Sequence, residues 1–167
     1  RIVMRIRHSR PVDLPRMQEL YAGARAFMAA NGNPTQWPEG FPAEDTLKED
    51  IATGISYVCE DDGGRVVGTF AFYTGREEAD YAEIFDGAWL NDAPYGVVHR
   101  ITSDRSTHGV GSFCLQWCYD QCGNVRIDTH RDNRPMRHTL EKNGFTQCGI
   151  VYVRDHEERI AFQKTAG

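Results

Sequence analysis

Three groups of residues have the types and spacing that chemistry needs. His99 lies inside Tyr95-Gly-Val-Val-His-Arg-Ile-Thr-Ser103, a β-branched run bounded by Pro94 and Asp104. Imidazole is the side chain whose ordinary pKa suits accepting a proton near neutrality. His130 follows Asp128 by two residues. On a strand such residues share a face, so the two could form an oriented Asp–His pair for general base work. The third group is His108-Gly109-Val110-Gly111-Ser112. Glycine there lets the backbone come close to a ligand, and the first N–H groups of a helix have no partner within it. A strand, a Gly-x-Gly loop and a helix start together make an anion site, most often for phosphate. Each group also has a plainer alternative: a packed or exposed strand histidine, two strand neighbours that never meet, an ordinary loop.

The remaining candidates are weaker. His108, in the loop, reads as a phosphate neighbour, and His8, His138 and His156 read as surface residues. Glu77, Glu78, Asp80 and Glu83 could attract a cationic amine or simply be solvated. Trp37, Tyr81 and Trp89 could wall an acceptor pocket, since aromatic faces hold cations, or pack in the core. The sequence contains no visible metal constellation. Five cysteines without a Cys-x-x-Cys pair fit a reducing cytoplasm better than a disulfide framework. Cys114, Cys118 and Cys122 recur every four residues on one helix. The first two fall on its apolar face, where cysteine acts as a small core residue and makes a poor nucleophile.

The elements that must position these groups follow from period and punctuation. Tyr95 to Ser103 reads as the central strand. From Val110 the apolar residues Val110, Phe113, Cys114, Trp117 and Cys118 change to helical spacing. Upstream, Val3 to Arg7 reads as a strand and Pro11 to Ala30 as a helix stopped at Asn31-Gly-Asn-Pro34. The loop Thr35 to Pro42 carries Trp37 and Phe41, and a short helix runs over Ala43 to Thr53. Ile55 to Cys59 and Arg65 to Tyr73 form a hairpin around Glu60-Asp-Asp-Gly-Gly64. Thr74 to Ala82 is charged and irregular, and Glu83 to Leu90 is a short apolar piece before the turn Asn91 to Pro94. Val125 to Thr129 is a further strand. Asn133, with Pro135 in the first turn, starts a helix that Asn143-Gly144 ends. Phe145 to Val153 and Arg159 to Gln163 close the chain around a turn at Asp155 to Glu158.

Length and charge bound the answer. A chain of 167 residues with 40% hydrophobic content can bury roughly 70% of its unfolded surface in one core, so one domain over residues 1–167 is expected. A net charge of −5 and a pI near 5.7 argue against nucleic acid or an anionic membrane as main partner. No apolar run approaches the ~20 residues of a membrane span. No signal-peptide pattern opens the chain, and Met4 after Arg1-Ile-Val reads as the natural start.

The order of elements, and two stretches within it, resemble the GNAT superfamily of acetyl-CoA-dependent N-acetyltransferases. Gly109-Val110-Gly111 resembles the family's pyrophosphate loop. Asp128-Thr-His-Arg-Asp-Asn133 through Leu140-Glu-Lys-Asn-Gly-Phe145 resembles its Asn…Glu-Lys-x-Gly-Phe segment. The resemblance implies a single α/β domain with a mixed, mostly antiparallel sheet flanked by helices. It implies that the central strand splays from Val125 to Thr129 to admit pantetheine. The backbone of Ile101, Thr102 and Ser103 would then hold pantetheine. The amides of His108, Gly109, Val110, Gly111 and Ser112 would hold the pyrophosphate of acetyl-CoA. Asn133 would bond near the pantetheine arm, unless it is only a helix N-cap. The chain departs from the family in two places. Ser106 stands where Arg or Gln usually opens the loop, with Arg105 beside it, and the loop is shorter than usual. Leu140 stands where many members carry the tyrosine that protonates the departing thiolate.

The expected function is therefore a cytoplasmic N-acetyltransferase that moves acetyl from acetyl-CoA to a primary amine of a small molecule or peptide by direct attack. His99, or His130 with Asp128, would be the base. Acceptor choice would sit in Asn31 to Pro42 and Thr74 to Pro94. The alternative is an acyl-CoA-binding or sensing domain with little turnover, motivated by Leu140; a binder of another phosphate ligand is a third. The sequence leaves a homodimer open.

Overall fold

The structure, a computed structural model, describes residues 3–154 and 156–166. The expected turn residue Asp155 and the leading Arg1 and Ile2 lie outside the described residues. In chain order the elements are β1 (Arg5–His8), α1 (Leu14–Ala30), α2 (Glu44–Ala52), β2 (Ser56–Glu60), β3 (Val66–Tyr73) and β4 (Gly96–Ser103). Then follow α3 (Val110–Cys122), β5 (Asn124–Thr129), α4 (Arg134–Lys142), β6 (Thr146–Val153) and β7 (Glu157–Thr165). Pro11–Asp13, expected as the start of the first helix, is a separate 3₁₀ turn, and a second covers Ala79–Tyr81. The apolar piece from Glu83 to Leu90 makes no strand; Phe85 bridges once to Ile150.

The strands form one sheet in the order β1-β2-β3-β4-β5-β7-β6, antiparallel at every junction except β4 with β5. This is the expected mixed, mostly antiparallel sheet between helices. One face carries α3 and α4, whose Cys114, Leu115, Cys118 and Leu140 pack with Phe70, Phe72, Val98, Ile127 and Phe162. The opposite face carries α1 and α2 on Val58 and Val66, and beside them a smaller cluster of Tyr81, Val97, Val151 and Ala161. Cys114 and Cys118 are fully buried, as their place on the apolar face of α3 predicts.

Two features of β4 shape everything that follows. Its pairing with β5 stops after Gly96↔Val125 and Val97↔Arg126, although both strands run on. Beyond Val97 the β5 side of β4 therefore has no strand partner among the described residues, and a cleft opens between the two. The second feature is a bulge. Ala71 pairs with His99 but Thr69 pairs with Thr102, so one residue of β3 faces two of β4. Arg100 takes the left-handed conformation at φ 54°, which costs a non-glycine residue about 1–3 kcal/mol. Tyr21 Oη donates to its carbonyl at 2.9 Å, and its guanidinium pairs with Asp50 on α2. Unbroken alternation would put His99 and Ile101 on one face. The bulge separates them: Ile101 packs into the α3/α4 core, while His99 lies against Tyr73 and Tyr81 on the opposite face.

Candidate active site

The cleft between β4 and β5 has a volume of about 690 Å³ and runs from the loop before α3 to the face that carries His99. The loop end is built by short-range bonds. Asp104 accepts from the Ser106 N–H and hydroxyl at 2.9 and 2.7 Å and pairs with Arg16 and Arg65 at 2.8 and 2.9 Å. These contacts, led by Ser106, hold its carboxyl far below the usual range. Ser106 is thus engaged in the turn. Its neighbour Arg105 lies over the Phe27 ring at 3.7 Å and lines the cleft. Gly109 caps α3 at φ 83°, a conformation that glycine adopts without strain. The first backbone bond into the helix joins Phe113 N–H to the Gly109 carbonyl at 3.0 Å. Among the described residues, the N–H groups of Val110, Gly111 and Ser112 have no backbone acceptor, and all three residues line the cleft. His108 and Lys142 line the same end.

Midway, Thr102 on β4 and Thr129 on β5 each bury a hydroxyl that has no hydrogen-bond partner among the described residues. Unpartnered buried hydroxyls on opposite walls, beside unpaired β4 backbone, fit a polar, extended ligand arm lying between the strands. Asn133 caps α4: its Oδ1 accepts from Met136 N–H at 3.2 Å, and its Nδ2 donates to Gln36 Oε1 at 2.8 Å. It also lines the cleft, so the cap and a position beside a ligand coincide.

At the far end His99 Nε2 lies 2.7 Å from Glu78 Oε1, which also accepts from Tyr73 Oη at 3.0 Å. Glu78 Oε2 accepts from the Asp80 N–H at 3.1 Å, and the Glu78 N–H donates to Tyr95 Oη at 3.0 Å. The His99 bond is the main cause that holds the Glu78 carboxyl down at about 2, against partial burial. An ionised Glu78 takes the Nε2 hydrogen, which leaves Nδ1 as the ring's proton acceptor. Asp80 is pushed upward by burial and by the neighbouring charges of Glu78 and Asp128.

The expected Asp128–His130 pair does not form. Asp128 accepts from Tyr81 Oη at 2.7 Å, whereas His130 Nδ1 accepts from the Asp132 N–H at 3.0 Å and Nε2 lies 3.3 Å from Thr35 Oγ1. Strand geometry ends at Thr129, so period two no longer aligns the two side chains. Asp128 lines the cleft. Burial and the charge of Arg159 push the His130 pKa down. Of the four flagged carboxylates Glu78 and Asp80 line the cleft, and of the three aromatics Trp37 does. Tyr81 and Trp89 pack on each other, with ring centroids 5.2 Å apart.

Several lining residues carried no signal in the sequence. Arg154, Arg159 and Gln36 meet through one carbonyl: the Gln36 oxygen accepts from Arg154 at 2.9 Å and from Arg159 at 2.7 Å. Arginines on either side of a surface turn read as solvated charges, and no local pattern distinguishes these. Leu140 is fully buried on the core face of α4 and does not line the cleft. Among the described residues no group of His, Cys, Asp or Glu is placed to hold a metal ion, and no helix is long and apolar enough to cross a membrane.

A crystal structure of a GNAT-family acetyltransferase from Streptococcus agalactiae superposes with a TM-score of 0.87 at 32% identity, covering 98% of this chain and 96% of that one. The chain belongs to the GNAT family. It is an acetyltransferase of that family, and the splayed pair β4/β5 is where its cleft lies. More distant GNAT-fold structures agree in fold. An acetyltransferase from Listeria monocytogenes aligns at 16% identity and TM-score 0.71, over 98% of this chain and 95% of that one. Arabidopsis thaliana Naa50, solved with the bisubstrate analogue CoA-Ac-MVNAL, aligns at 14% and 0.61, over 98% and 99%. No family profile and no curated protein matches the sequence.

Proposed function

We propose that this GNAT chain transfers acetyl from acetyl-CoA to the primary amine of a small molecule or peptide, by direct attack with both substrates in the cleft. The observation that carries the reading is the continuity of the cleft, from the unpartnered amides of Val110 to Ser112 to the Glu78–His99 pair. The residues fit the donor. The amides from His108 to Ser112 take the pyrophosphate with the help of the helix dipole. The unpaired backbone of Ile101, Thr102 and Ser103 takes pantetheine, with Asn133 beside it. Arg105 and Lys142 bring positive charge to the same end. When bound, acetyl-CoA supplies an activated thioester.

The acceptor amine arrives protonated and must become neutral to attack. Glu78, Asp80 and Asp128 make this end of the cleft attractive to a cation. His99 Nδ1 removes the proton, with Glu78 holding the ring in the correct tautomer. Leu140 contributes no hydroxyl, so the departing thiolate takes its proton from water in the open cleft. The same Leu140 motivates the second reading, a domain that binds acyl-CoA with little turnover.

Calorimetric titration with acetyl-CoA, followed by thiol release across a panel of amines, separates these readings. Binding with turnover that His99→Ala cuts by about 100-fold or more supports the enzyme and the base. Binding without turnover supports the sensing domain, and an absence of binding refutes both.

A further inference from the structure

Two guanidinium groups at the acceptor end of the cleft, those of Arg154 and Arg159, form no ion pair among the described residues. Arg159 is 2% exposed, lines the cleft, and makes its bonds to the backbone carbonyls of Gln36 and Glu158 at 2.7 and 2.8 Å. Arg154 lines the cleft with its guanidinium 4.5 Å above the Phe41 ring, and its other contact is the same Gln36 carbonyl at 2.9 Å. Among the described residues neither arginine has a carboxylate within ion-pair distance, whereas Arg7, Arg16 and Arg100 all do. Asp128, the acid whose charge Arg159 feels most, is engaged by Tyr81 Oη. Two cations converging on one neutral oxygen repel each other, and burial and Arg154 together push the Arg159 pKa down. A buried guanidinium is ordinarily paired, and a planar acid group is its natural complement. The loop that supplies the Gln36 carbonyl is fixed to the α4 cap by Asn133, so the two arginines sit on a wall built across the cleft.

We propose that the acceptor is an amine that also carries an acid group, a carboxylate or a phosphate, held by Arg154 and Arg159 while its amine lies toward Glu78 and His99. This rests on the acetyl-transfer reading above and narrows its acceptor class. Both kinds of charge line the acceptor end, where Glu78 and Asp80 draw the ammonium and the two arginines draw the anion.

The test compares acceptors of matched length: an ω-amino carboxylic acid, the corresponding ω-aminoalkyl phosphate, and the neutral ω-amino carboxamide. With the purified protein and saturating acetyl-CoA, kcat/KM for at least one of the acids should exceed that for the amide by about 10–100-fold, mainly through KM. Which acid is preferred distinguishes carboxylate from phosphate. Arg154→Ala should collapse the acid-to-amide ratio. Arg159→Gln should do the same, and if its loss of the Gln36 contact prevents folding, the exposed Arg154 position still decides. Equal use of acid and amide by the parent protein overturns this inference and leaves the acetyl-transfer reading intact. An Arg154 variant that loses activity on all acceptors in equal proportion overturns it as well, because the arginine is then structural. Acetyl-CoA binding with no acceptor of any kind consumed overturns both.

Discussion

Replacing Glu78 with glutamine keeps the shape of the side chain and removes its charge. A carboxyl held at about 2 against an ordinary 4.5 corresponds to about 3 kcal/mol in favour of the ionised form. The side chain is 17% exposed, and solvent screening leaves about 1–2 kcal/mol of that as folding stability. For a chain of this size Glu78→Gln should therefore lower Tm by about 2–8 °C at neutral pH. The sign with pH follows from the depressed pKa. The contribution is complete above 4.5 and is lost as pH falls through about 2, so parent and variant should converge in that window. The effect on activity is separate. Without the carboxylate the His99 ring loses the partner that selects its tautomer, and misorientation of a base costs about 10–100-fold in kcat/KM. Acetyl-CoA affinity should not change, since the loop end of the cleft is untouched. Initial rates of thiol release, measured well below the variant's Tm, give both parameters. A variant with parental kcat/KM and a lowered Tm would refute the orienting role and leave Glu78 as a structural partner. A raised KM for acetyl-CoA would show that the two ends of the cleft are not independent.

Other substitutions test the loop and the core. Gly109→Ala forces alanine to φ 83°, which should cost about 1 kcal/mol and raise the KM for acetyl-CoA. Gly111→Ala, whose added Cβ meets nothing nearer than Thr139 Cγ2 at 3.8 Å, should hold or raise Tm by about 1–3 °C; thermal melts and titrations of the pair distinguish them. Gly68→Ala would put a Cβ 2.7 Å from Val110 Cγ1, so it should destabilise by about 1–3 kcal/mol and weaken cofactor binding by displacing the start of α3. Leu140→Tyr, which restores the residue type common in the family, should overpack a fully buried site at about 1–3 kcal/mol. It should bring no rise in kcat, and a faster variant would show that the hydroxyl reaches the cleft after all.

Where local chemistry decided the structure, the sequence sufficed. The change of period at Val110 marks the start of α3 to the residue, because helix and strand place their apolar residues by different repeats. Asn133 caps α4 as residues of its type do. The hairpin, the last two strands and the family resemblance are legible for the same reason: each depends on neighbours in sequence. The fate of Asp128 and His130 was not legible, because whether two residues share a face depends on where the strand ends. The first helix likewise begins later than its apolar repeat suggests, after a 3₁₀ turn at Pro11–Asp13.

The site itself was decided in three dimensions. Pairing of β4 with β5 stops after Val97, while β3 continues to pair with β4 and β7 with β5 along their outer edges. The bulge at Arg100 is held by Tyr21 and Asp50, residues 79 and 50 positions away in sequence. His99 acquires its carboxylate from Glu78 at a separation of 21, and Gln36 joins Arg159 across 123. Electrostatic partners are chosen by distance in space, and nothing in a local pattern encodes them. Most of the elements belong to the sequence; the cleft, the Glu78–His99 pair and the meeting of Arg154 with Arg159 belong to the packing.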